Sequence, residues 1–357
     1  MRNRLHALAG ALVLCMLPAL VSADPPLMPS INAVLLPPQT FDGAAQTPMD
    51  NALLLPPQTF DGSAKTPNTT RERYGQWSID GGVYLIQPVF ESNPAFLVNG
   101  RGGDVTRQVD FSHHLEGAPS VWLGYVSERG WGVRGRWFQF DHDAASSYVA
   151  APGETITGIS TLNLARIPVG GAIATSSNLA VNVLDFQGTC SFETAKWSHL
   201  LGFGVRYAHM SQDYRATLAD VNTRIDLSSA HNFNSAGPSL AMETKRRIGE
   251  SGFSIYGQLN GAILFGRAKE AYTALNNGVP QQFTRDETRV LPVGELELGA
   301  EYQHHVGRAN FFLQAGFIGQ VWWGGGNASN VDALGFSFAS NSNFGFVGMA
   351  LRAGVRY

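Results

Sequence analysis

The sequence predicts an all-β fold: a single antiparallel transmembrane β-barrel of about 12 strands (range 10–14), preceded by a Pro-rich repeat leader. Three observations predict it. Segments alternating between apolar and polar residues recur from residue 76 to the last residue. No run of 18 apolar residues occurs outside the N-terminal region, which argues against helical membrane spans. The final stretch, Phe344 to Tyr357, is itself alternating and ends on an aromatic residue, as outer-membrane barrels typically do. Only 15% of the 357 residues are charged, and mean hydropathy is −0.06. A barrel wetted on one face averages to such a value.

Residues 1–23 have a secretory layout. Arg2 and Arg4 precede an apolar stretch from Leu5 to Leu20, and Val21-Ser22-Ala23 forms an acceptable cleavage site. Leu14 before Cys15 does not suit a lipoprotein box. Removing this leader takes the net charge from −3 to about −5, and nothing suggests a nucleic-acid footprint. The mature chain keeps one cysteine, Cys190, which reads as a small hydrophobe without a disulfide.

Residues 24–75 form the leader. Asn32 to Asp50 recurs almost at once as Asn51 to Thr69, each copy with Pro-Pro, Phe-Asp-Gly and Thr-Pro. A repeat this short and Pro-rich buries no core of its own, so polyproline or irregular periplasmic structure is expected.

The barrel is expected over 76–357. In its first strand, Trp77, Ile79, Val83 and Leu85 share one parity. Val121, Leu123 and Tyr125 run into a tight turn, Ser127 to Gly130. The returning arm sends Trp131, Val133 and Trp137 one way and Arg134 and Arg136 the other. The same division recurs at Leu201–Tyr207, Phe253–Phe265, Leu296–Tyr302, Phe311–Val321 and Val347–Tyr357. Polar connections at Ala144–Asn178, Tyr272–Arg289 and Gly324–Asn343 read as long outer loops, against short turns elsewhere. A soluble sandwich could produce the same alternation with its apolar face buried. A closed barrel satisfies every strand edge in lipid.

Several strings resemble the Legionella-type major outer-membrane porin family, pore-forming β-barrels also widespread in planctomycetes. They are Gly81–Phe96, Pro119–Asp141, Lys196–Tyr214, Gly237–Gly266 and the closing strand. The most specific is PSVWLGYVSERGWGVRGRWFQFD, Pro119 to Asp141. The resemblance implies an outer-membrane location and passage of small solutes. The 24–70 repeat has no counterpart in it, and the family supplies no catalytic residues to carry over.

The candidates for function are charges on the polar parity: Arg134, Arg136, Arg206, Arg352 and Arg356, with Glu295, Glu297 and Glu301. In a water-filled lumen, opposed walls of the two signs would set a transverse field and a weak ion preference. Alternatively they pair as structural bridges in a narrow, closed barrel. Tyr357 is expected to act as a recognition element for barrel assembly. The pairs His113-His114 and His304-His305 do not read as metal sites, since neighbours on a strand point to opposite faces. His199 and His209 lie on an apolar parity without a nucleophile signature. No catalytic residue, metal or cofactor is therefore expected. The expected partners are outer-membrane lipids, the barrel-assembly machinery and small solutes. A structural or adhesive barrel with partner-binding loops is the second function that fits.

Overall fold

The structure, a computed structural model, describes residues 75–100, 105–159, 166–167, 171–194, 196–329 and 342–357. The expected signal peptide and all but the last residue of the leader lie outside the described residues. Ten strands close into an antiparallel barrel. They are β1 (Gln76–Phe90), β4 (Glu116–Val126), β5 (Trp131–Val149), β8 (Ala172–Glu193), β9 (Trp197–Ala219), β10 (Arg224–Arg247), β11 (Phe253–Asn276), β12 (Val279–Val306), β13 (Ala309–Trp322) and β14 (Phe344–Arg356). Ten lies at the lower end of the expected range. A separate four-stranded sheet orders β3 (Val105–Asp110), β2 (Pro94–Asn99), β6 (Thr155–Gly158) and β7 (Arg166–Ile167).

β1 pairs with both β4 and β14, so no barrel edge is left open. Reciprocal bonds between the Trp77 and Tyr357 backbones, both 2.8 Å, finish the seam at the chain's end. Alternation then sorts the side chains. Trp131, Phe203 and Phe317 are 67%, 66% and 74% exposed on the outer wall, while their strand neighbours face inward. Among the described residues no second sheet covers them, so the sandwich reading fails.

The lipid-facing band has a sharp limit. Trp137, Leu184, Tyr207, Ala236, Phe265 and Val290 are register partners along an apolar row. Two residues further along each strand the row reads Gln139, Asn182, His209, Asn234, Arg267 and Thr288. Beyond that row β10, β11 and β12, of 24, 24 and 28 residues, continue well past the roughly 9–11 residues that cross a bilayer. Short turns and the seam lie at the opposite end, which makes that end periplasmic.

The long-loop expectation needs correction in two places. Tyr272–Arg289 is a continuous hairpin whose two-residue turn, Asn277-Gly278, takes positive φ at both positions. That is the turn geometry matching strand twist. Within Ala144–Asn178 the wall strands run on to Val149 and resume at Ala172, and the part between them supplies β6 and β7. Of Gly324–Asn343, residues 330–341 lie outside the described residues, and 326–329 turn into the barrel.

The barrel interior is layered. Charged side chains fill the periplasmic part. Above them lies an apolar layer including Phe138, Phe140, Phe233, Trp322, Phe344 and Phe346, all buried. Above that, Phe96, Val98 and Ile156 of the inserted sheet pack on Tyr214, Leu218 and Leu227 of the wall.

Candidate functional site: a charged lattice across the barrel interior

Arg136 organises the lowest layer. Its strand carries Trp131, Val133 and Trp137 on the outer parity, which forces Arg134, Arg136 and Phe138 inward. Arg136 Nε donates to Asp185 Oδ2 at 2.8 Å. Its Nη1 donates to Glu295 Oε1, and Nη2 donates to Glu295 Oε2 at 3.1 Å. β5 and β12 face each other across the ring, with four strands between them in either direction. The Arg136–Glu295 pair is therefore a strut spanning the lumen. Bidentate Arg–carboxylate geometry makes it directional as well as strong.

Arg206 on β9 holds the second face of Asp185, at 2.6 and 3.0 Å. Glu295 also accepts from Asn260 at 3.0 Å and Gln320 at 2.9 Å. Arg352 on β14 pairs with Glu297, which accepts from the Tyr256 hydroxyl at 2.6 Å as well. Arg356 reaches Glu301 at 3.0 Å, and Lys245 joins Glu301 at 2.8 Å to Glu243 at 2.9 Å. Glu243 extends this chain of pairs to Arg134 at 3.2 Å. Trp122 on β4 lies under three of the guanidiniums, Arg134, Arg136 and Arg352, at 4.6, 5.0 and 5.7 Å. The ring face offers negative quadrupole to all three. Gly316 leaves space for this arrangement: a Cβ there would stand 2.9 Å from the Tyr256 hydroxyl and 2.7 Å from the Leu298 carbonyl.

All eight charged residues singled out from the sequence face this interior and join one lattice. The two walls of opposite sign do not form, however, because Asp185 and Glu243 interleave among the cations. Sequence reasoning missed Trp122, Asp185, Glu243, Lys245 and Tyr256. Strand parity could have found Trp122, which sits between the outward Val121 and Leu123. Parity could also have found Asp185, which sits between the outward Leu184 and Phe186, and Glu243, which follows the outward Met242.

The histidines fall elsewhere. His199 stacks on Phe192 and Trp197 on the outer girdle and bonds Thr244, while His209 bonds Asn234. His113 and His114 lie in the non-strand segment before β4, and both rings pack on His142. Among the described residues no group of three His, Cys, Asp or Glu is arranged to hold a metal. Tyr357 is exposed beside the seam.

Among solved structures, the chain is similar to the outer-membrane protease OmpT of Escherichia coli, with 8% identity and a TM-score of 0.42 over 79% of this chain and 96% of that one. It is also similar to a FadL homologue of Pseudomonas aeruginosa, with 10% identity and a TM-score of 0.23 over 80% and 90%. For the toluene transporter TodX of P. putida the values are 7% and 0.23 over 79% and 89%. No curated protein matches the sequence. Residues 71–356 match the family described as the Legionella pneumophila major outer membrane protein precursor. The chain belongs to this family and is an outer-membrane β-barrel protein.

Proposed function

We propose that the protein is a gated outer-membrane pore for small solutes or ions, closed in this structure. The observation that carries the reading is the Arg136–Glu295 strut, within a lattice of six cations and five carboxylates among the described residues. Burying so many charges costs desolvation, and apolar packing like the layer above would fill the space more stably. Ionisable groups inside a membrane protein are functional candidates by default, and lumen charges set which ions enter. The inserted sheet supports gating: it is hydrogen-bonded strand to strand within itself, while side chains join it to the wall. It can shift without unzipping the barrel.

One observation favours a second reading. The aromatic layer of Phe138, Phe140 and Phe346 packs as a protein core does, as in a structural barrel whose outer loops bind partners. Planar-bilayer recordings of the refolded protein separate the two. Discrete conductance steps are expected; an ion-tight membrane removes the pore and leaves the structural barrel. No catalysis is part of the proposal. Tyr357 is proposed to serve barrel assembly, so deleting it should lower insertion yield while leaving unit conductance unchanged.

A further inference from the structure

We propose that His113, His114 and His142 form an acid-sensitive latch, which holds the inserted segments closed in the outer mouth of the barrel and releases them on acidification. Its effect on conduction rests on the gated-pore reading; the latch itself does not.

The joint brings five parts of the chain together: 87–93, 113–114, His142, Gln212 and 326–329. His142 projects inward from β5 and is 5% exposed. The His113 ring lies 5.2 Å from it and the His114 ring 5.3 Å. Both belong to the segment that returns from the inserted sheet to β4. The His113 carbonyl accepts from Gln87 of β1 at 2.7 Å, and Asn93 Nδ2 lies 2.6 Å from His113 Nε2. Asn93 in turn accepts from Asn327 at 3.0 Å and Ser329 at 3.3 Å, while Asn327 also donates to the Ser92 carbonyl at 2.8 Å. Gln212 on β9 bonds the Gly326 carbonyl at 3.2 Å and the Ala328 amide at 3.0 Å. The His113–Asn93 contact thus links both inserted segments to the wall.

The titratable groups facing His113 are His142 from β5, its neighbour His114, and Glu116 at the start of β4. Glu116 is half exposed and stands 3.6 Å from His142 Nδ1, so it can compensate one imidazolium and no more. His113 Nδ1 and His142 Nε2 are buried without partners. Asn93 Nδ2 donates to His113 Nε2, so the neutral ring keeps its proton on Nδ1 and a second proton at Nε2 would face an amide donor; one added at His142 Nε2 finds no acceptor, and two charged rings in contact repel. Burial first, then His142 and His114, pushes the His113 pKa down from 6.5 to about 4.

The sign follows from linkage. The packed imidazole resists a proton that the released one accepts, so stability of the closed joint is intact above pH 6.5 and falls as pH drops toward 4. At pH 5 a difference of this size shifts the equilibrium toward release roughly 30-fold. Histidine is suited to such a switch because its ordinary pKa lies near neutrality.

The test is amide hydrogen exchange of residues 91–99 and 105–115 in the full-length protein refolded into liposomes, at pH 7.5 and pH 5, corrected for intrinsic exchange. Protection is expected to fall about 30-fold in the natural protein. In the double variant His113→Phe, His142→Phe it should change by less than about threefold. An equal response in that variant, or no response in the natural protein, overturns the latch. Should the double variant fail to fold, His114→Gln, at an exposed ring, takes its place and should move the midpoint to lower pH by removing one repelling charge; an unmoved midpoint overturns the latch. Conductance recorded in parallel keeps the two readings apart: loosening without conductance leaves the latch standing and removes the gated pore.

Discussion

The two ends of the barrel interior are closed by different means. At the periplasmic end the closing groups are side chains of the wall itself, fixed by strand parity and locked by ion pairs. At the outer end the closing groups arrive on returning chain segments, held by a few hydrogen bonds and apolar contacts. A barrel of ten strands lies between those just filled by side chains and those wide enough for an aqueous channel. The permanent constriction belongs to the strands, and the movable one to the connections.

The sharpest way to break this division is to remove one side of the strut. Glu295→Ala leaves Arg136 with a single carboxylate in a buried layer and should cost about 3–5 kcal/mol. Denaturant midpoints in liposomes measure it. Removing both charges and filling the space, Arg136→Met with Glu295→Leu, should return stability to that of the natural protein or above. A cost under about 1 kcal/mol for the single change would mean that the pair behaves as a solvated surface bridge, and the lower layer would then be hydrated.

The wall can be tested on its outer face. Phe203→Arg, in the middle of the apolar stretch of β9, should cost about 2–4 kcal/mol, and Ala230→Arg, beyond the polar row on β10, about 0–1 kcal/mol. Equal costs would misplace the membrane limit at the Gln139–Thr288 row. Gly316→Ala should cost about 1–3 kcal/mol, from the added methyl pressing on the Leu298 carbonyl and displacing the Tyr256 hydroxyl. It should also weaken the Tyr256–Glu297 bond without touching the inserted sheet.

The same division explains what was legible in the sequence. Where one face meets lipid and the other meets the lumen, period two is clean, and Arg134, Arg136, Glu295 and Arg352 could be placed inward from it. Past the lipid both faces of a strand are polar, so Asp141, Asn178 and Asp286 carry no alternation and their stretches read as loops. The Asn277-Gly278 turn was the missed signal for the β11–β12 hairpin. The partners inside the lattice stayed hidden for another reason. Parity says which way Arg136 points, but that it meets Glu295 depends on ring closure and strand count, which are non-local. The inserted sheet, short and irregular, leaves no periodic mark at all.

Single-channel recording of two proteins decides whether the strut narrows a pore: the natural chain, and the double variant Arg136→Ala, Glu295→Ala, which removes the strut without leaving an unpaired charge. Discrete steps are expected from the natural protein and larger steps from the variant. Membranes that stay ion-tight with both proteins would contradict the pore, and identical step sizes would contradict the strut as its constriction.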